Sequence, residues 1–126
     1  MTMRRAPLLA LLLAIVATGA LTEERVEVID GDTIRVEGVS VRLVGLDAPE
    51  MRGACPTERH LAARARDRLV VLLADGVIVE SRGHDRFGRV LAVVREIGGR
   101  DVAQLLIAEG LARPYDGRGA RPGWCG

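Results

Sequence analysis

From Arg25 to Leu46 the chain alternates apolar and polar positions. Val26, Val28, Ile34, Val36, Val41, Leu43 and Leu46 carry the apolar half of the pattern, which is the period of a half-buried strand. Gly31, set between Asp30 and Asp32, and the pair Glu37-Gly38 supply the turns. Three strands are therefore expected, Arg25 to Asp30, Thr33 to Glu37 and Ser40 to Leu46. Pro49, Gly53 and Pro56 then mark a loop, after which the period changes. Leu61, Ala65, Leu69, Leu72 and Leu73 recur at helical spacing, with Thr57 suited to cap the helix and Gly76 to end it. Glu58 in the first turn favours the helix dipole. Val77 to Glu80 reads as a short strand, Ser81 to Gly88 as a polar loop, and Val90 to Val94 as another strand, turned by Gly98-Gly99. Asp101 opens a second helix, with Gln104 three residues on in a capping-box-like pair, and Gly110 closes it. The tail from Arg113 to Gly126 is rich in glycine, proline and arginine and reads as irregular.

The element order is βββαββα, an α+β chain that is mainly β. A five-stranded Greek-key barrel of the OB-fold type with two helices fits that order. Ahead of it, Arg4 and Arg5 precede an uncharged apolar run from Leu8 to Gly19, and Thr18-Gly19-Ala20 offers the small residues of a cleavage site. The run is short of the roughly 20 residues a membrane span needs. Residues 1–20 are expected to be a secretory signal peptide, with an N-terminal anchor as the alternative, and residues 21–126 the domain. An extracytoplasmic monomer, periplasmic or secreted and without stable membrane association after signal cleavage, is the expectation.

Charge narrows the function only a little. Removing Arg4 and Arg5 with the signal takes the formal balance from +1 to −1, so this is not the broad basic footprint of a non-specific nucleic-acid binder. Phosphate recognition, where it occurs, must come from a few placed arginines. The arginines of the first helix (Arg59, Arg64, Arg66 and Arg68) read as a solvated face. Two cysteines, Cys55 and Cys125, are expected to form a disulfide in an oxidising compartment. A zinc site using them with His60 and His84 is the alternative, although the spacing matches no short finger pattern. His60 and His84 themselves read more simply as surface residues.

Two acidic clusters, Asp30-Gly31-Asp32-Thr33 and Asp47-Ala48-Pro49-Glu50, flank the second and third strands. A meander would bring Asp32 and Asp47 together, and converging carboxylates suit a hard divalent cation. Arg42 lies mid-strand, where apolar alternation does not require it. Cleaving a phosphodiester calls for such a cation, for guanidinium forks matched to phosphoryl oxygens, and for a carboxylate to orient a water. Asp32 and Asp47 can hold the cation, Glu50 the water, and Arg42 and Arg89 the phosphate.

These residues carry a resemblance. Asp30 to Thr33, Val41 to Glu50, Asp85 to Ala92 and Leu106 to Ala112 occur in the order seen in the staphylococcal nuclease (thermonuclease) family, which the chain resembles. The resemblance implies an OB-fold barrel and Ca²⁺-dependent hydrolysis of DNA and RNA, with 3′-phosphate ends. Asp32 and Asp47 match the metal carboxylates and Ala48 the position of a carbonyl ligand. Arg42 and Arg89 match the phosphate-clamping arginines, and Glu50 the general base. Phe87 stands where a tyrosine is common. Phe87 and Tyr115 are candidate substrate contacts, whereas Trp124 is expected to pack in the core. A catalytically weak module of the same fold, binding nucleic acid or a protein partner, is the second reading. A structural envelope protein is the third.

Overall fold

The structure is a computed structural model that describes residues 24–126, so the segment expected to be a signal lies outside the described residues. Its strands are β1 (Val26–Asp30), β2 (Thr33–Val36), β3 (Val39–Leu43), β4 (Leu46–Asp47), β5 (Val77–His84), β6 (Val90–Glu96) and β7 (Arg113–Pro114). The helices are α1 (Pro56–Leu72) and α2 (Val102–Ala108). Five strands form one mixed sheet in the order β1-β2-β3-β6-β5, with β3 and β6 parallel, and β4 pairs with β7 in a small second sheet.

The three-strand meander follows the alternation. Ile34 of β2 stands opposite Val41 of β3, and both are buried. Ile34, Leu43, Leu46, Leu69, Val94, Val102 and Leu106 fill the space between the sheet and the helices. Five main strands and two helices were expected and are present. The arrangement is that of the expected OB-fold α+β domain, with the barrel left open: among the described residues β1 and β5 remain the two edges of the sheet.

Five local expectations need correction. β3 ends at Leu43 rather than Leu46, because Gly45 turns the chain at φ +89 and releases Leu46 and Asp47 to pair with Pro114 and Arg113. The tail is therefore not wholly irregular. β5 runs on to His84, through the stretch expected to be a loop, with a bulge between Ser81 and Gly83. α1 is capped by Cys55 rather than Thr57, with Pro56 in the first turn, where a missing N–H costs nothing. It ends at Leu72, slightly before the expected stop.

Cys55 and Cys125 form a disulfide across 70 positions, which removes the zinc alternative. Closing a loop of that length contributes on the order of 4 kcal/mol by restricting the unfolded chain. Trp124 lies outside the core cluster, its ring covered by the Arg113 guanidinium at 3.7 Å. His60 and His84 are exposed, as expected of surface residues.

Candidate active site

The acid turn at Asp30-Gly31-Asp32 is held against α1 by small residues. A Cβ at Gly31 would come within 2.9 Å of the Ala65 Cβ and 3.0 Å of the Ala48 Cβ, so only glycine fits without displacing them. This close approach sets the Asp32 turn beside the chain that carries Asp47 and Ala48. Both carboxylates are buried, Asp32 6% and Asp47 3% exposed.

Arg42 ties the two acidic segments together. Its Nη2 lies 3.4 Å from the Asp32 carboxylate and donates to the Leu46 carbonyl at 3.2 Å. Its Nη1 donates to the carbonyls of Leu43, at 2.8 Å, and Asp32, at 3.4 Å. Arg42 thus braces the corner between β3 and β4. Among its nitrogens, Nε is the one without a protein acceptor among the described residues. A two-pronged phosphate clamp would need these bonds to rearrange.

Arg89 is held differently. Asp85 accepts from its Nε at 2.7 Å. The other Asp85 oxygen accepts from the backbone N–H groups of Phe87 and Arg89, at 2.9 and 3.0 Å. One carboxylate therefore folds the turn and orients the guanidinium. Desolvation opposes ionisation of Asp85, but the bonds from Arg89 and Phe87 outweigh it and hold the carboxyl below its usual pKa. Phe87 is 69% exposed at the tip of this hairpin, with Arg86 and Arg89 near its ring face at 4.8 and 5.7 Å.

Arg42, Arg89, Phe87 and Tyr115 line one groove of about 600 Å³. Asp47, Ala48 and Glu50 line an adjoining hollow of about 360 Å³. Asp32 lines neither and meets the groove through Arg42. Arg121 belongs to both, and sequence reasoning missed it. Its Nη1 donates to Asp47 at 3.1 Å, and its Nη2 lies 3.5 Å from Glu50. Burial works against its charge, but the carboxylates of Asp47, Glu50 and Asp32 outweigh that and raise its pKa above the ordinary value.

Glu58 was the second omission. It is nearly buried, and its carboxylate accepts from the backbone N–H of Glu50 at 3.0 Å and of Ala54 at 3.3 Å. It thereby positions the loop that carries Glu50. The sequence offered it only as a favourable first-turn acid.

The site holds a surplus of acid. Burial, reinforced by the neighbouring Asp32 carboxylate, pushes Asp30 up to about 7 despite the attraction of Arg42. Among the described residues no three acidic, histidine or cysteine side chains converge into a ready-made metal cage. The donor set is nonetheless all oxygen, and at Asp47 a guanidinium already stands in as the cation. Those two features fit a hard divalent ion completing its shell with backbone carbonyls and water.

Comparison with known proteins shows the family. Residues 40–122 match the family described as Staphylococcal nuclease homologue. That span takes in Arg42, Asp47, Glu50, Arg89 and Arg121 and begins after Asp32. Protein ParB of Escherichia coli is 36% identical, over 93% of this chain and 71% of its own length. The succinoglycan biosynthesis protein ExoI of Rhizobium meliloti is 37% identical, over 73% of this chain and 52% of its own. The micrococcal nuclease of Shigella flexneri is 35% identical, over 73% of this chain and 57% of its own. The chain thus spans little more than half the length of the latter two. With the braced Arg42, the Asp47–Glu50 segment and the turn-held Arg89 all inside the matched span, the chain belongs to the staphylococcal nuclease homologue family.

Proposed function

We propose that this chain is a Ca²⁺-dependent nuclease that hydrolyses phosphodiester bonds of DNA and RNA with little sugar or sequence preference and leaves 3′-phosphate ends. The observation that carries the reading is the shared groove of Arg42 and Arg89, joined through Arg121 to the carboxylates of Asp47 and Glu50. Family membership and the nuclease name of one relative support the same reaction class. The disulfide supports work outside the cytoplasm.

Asp32, Asp47 and the Ala48 carbonyl would hold the cation, which supplies positive charge for the phosphoryl oxygens when bound. Arg89, fixed by Asp85, offers its remaining N–H groups to phosphate, and Arg42 offers Nε. Glu50, half exposed beside the buried Asp47, orients the attacking water and takes its proton. Phe87, exposed at the groove rim, offers a face on which an unpaired base can stack.

A second reading, a module of the same fold that binds without cutting, draws on one observation. Arg121 occupies Asp47 and Glu50, and most of the Arg42 fork is engaged by carbonyls. Incubation of the chain with plasmid and with RNA, in Ca²⁺ or in chelator, separates the two. The nuclease reading expects Ca²⁺-dependent cutting that falls about 10²- to 10⁴-fold in Glu50→Gln and about 10²- to 10³-fold in Arg89→Ala. Binding without cutting in the wild type refutes it in favour of the module.

A further inference from the structure

Arg121 reaches Asp47 from 74 positions away because the tail that carries it is fastened on both sides. On one side, the Tyr115 hydroxyl donates to the Gly119 carbonyl at 2.7 Å, and the Tyr115 N–H donates to the Gly45 carbonyl. On the other, Arg113 Nη1 donates to the carbonyls of Pro122 and Gly123 at 3.3 and 2.9 Å. Four residues beyond Arg121, Cys125 is bonded to Cys55, at the cap of α1. Arg113 itself stands opposite Asp47 in the β4–β7 pair. The tail is therefore a strap laid across the acidic hollow, with Arg121 set at its middle.

A divalent ion on Asp47 would share a carboxylate with that guanidinium, and at such separations like charges repel strongly. Asp47 cannot yield, because its side chain is 5% exposed. Arg121 can, because its side chain is 44% exposed and can turn into solvent. We infer that Arg121 is an internal counter-ion that occupies the Asp47–Glu50 site in the metal-free chain and is displaced when a divalent cation binds. The inference rests on the proposed role of Asp47 as a cation ligand. Coupling is reciprocal: by whatever factor Arg121 weakens the cation, the cation weakens the seating of Arg121. The Cys55–Cys125 bond raises the local concentration of Arg121 at the site, so breaking it relieves the competition.

Calorimetric titration of the full chain with Ca²⁺ at low ionic strength tests this without reference to cutting. Arg121→Gln is expected to bind Ca²⁺ about tenfold more tightly than the wild type. Arg121→Lys, which keeps the charge, stays near the wild type, and Cys55→Ser/Cys125→Ser falls between. In the wild type, the Arg121 side-chain N–H resonance moves toward its solvent value as Ca²⁺ is added. Equal or weaker Ca²⁺ binding by folded Arg121→Gln, beside a wild type that binds normally, overturns the competition and leaves Asp47 standing as a ligand. Failure of every variant to bind Ca²⁺, with Asp47→Asn indistinguishable from them, sinks the cation reading and the competition together.

Discussion

Glu58→Ala tests whether the loop carrying Glu50 is held by a single buried carboxylate. Glu58 is 9% exposed, and its carboxylate accepts from two backbone N–H groups, those of Glu50 and Ala54. A hydrogen bond to a charged group contributes about 1.5–3 kcal/mol. The Ala54 bond is long at 3.3 Å, and the loop lies near solvent, so water takes up part of the loss. The first-turn acid adds about 0.3–1 kcal/mol through the helix dipole. The expected cost is about 2–4 kcal/mol, which in a domain of this size lowers Tm by roughly 10–20 °C. Glu58→Gln keeps one acceptor oxygen but turns an amide N–H toward a backbone donor, so about half of that loss is expected. Scanning calorimetry of the oxidised chain in chelator measures both without interference from the cation. A Glu58→Ala Tm within about 3 °C of wild type would refute the reasoning, since a buried, satisfied carboxylate of this kind does not vanish for so little.

The raised pKa of Asp30 gives a pH signature. The folded chain keeps the proton up to about pH 7, whereas the unfolded chain releases it near 3.8. Protonation therefore favours the fold, and that contribution is lost as pH rises through 7. Asp30→Asn is expected to match the wild type at pH 4 and to exceed it at pH 8 in chelator. The gain, discounted for partial exposure, is about 1–2 kcal/mol, and a difference independent of pH counts against it. Asp85→Ala removes the acceptor for Arg89 Nε and for two turn amides. The fold is expected to survive in circular dichroism while kcat/KM on nucleic acid falls about tenfold or more, and unchanged kinetics would show that Arg89 orients itself.

What was legible in the sequence was what short-range chemistry determines. The alternation around Ile34 and Val41 is a pattern of neighbours, and it placed the meander correctly. Asp30-Gly31-Asp32 announced a turn, and Arg42 was conspicuous because apolar alternation has no use for it. The boundaries that failed were those decided by pairing across the chain. Ser81 to His84 is polar on both faces and reads as a loop, yet β6 supplies its hydrogen bonds and holds it as a strand. Leu46 and Asp47 read as the end of β3 because nothing local predicts that Pro114 and Arg113 will lie beside them.

Arg121 and Glu58 escaped for a related reason. An arginine in a glycine-rich tail and a glutamate in a first helical turn each have an ordinary local explanation, and both owe their place to contacts far along the chain. The disulfide was expected to tie the loop after Glu50 to the C-terminal tail, and it does: a bond from Cys125 to the cap of α1 carries the preceding residues past the loop that bears Glu50. The gap between Cys125 and Arg121 is only four residues, and the hollow beneath is acidic, so the tail's nearest arginine has a charge-matched partner within reach. A predicted disulfide thus constrains more than stability. It names the stretch of chain that will lie over a site, and the charge of that stretch then says whether it will help the ligand or compete with it.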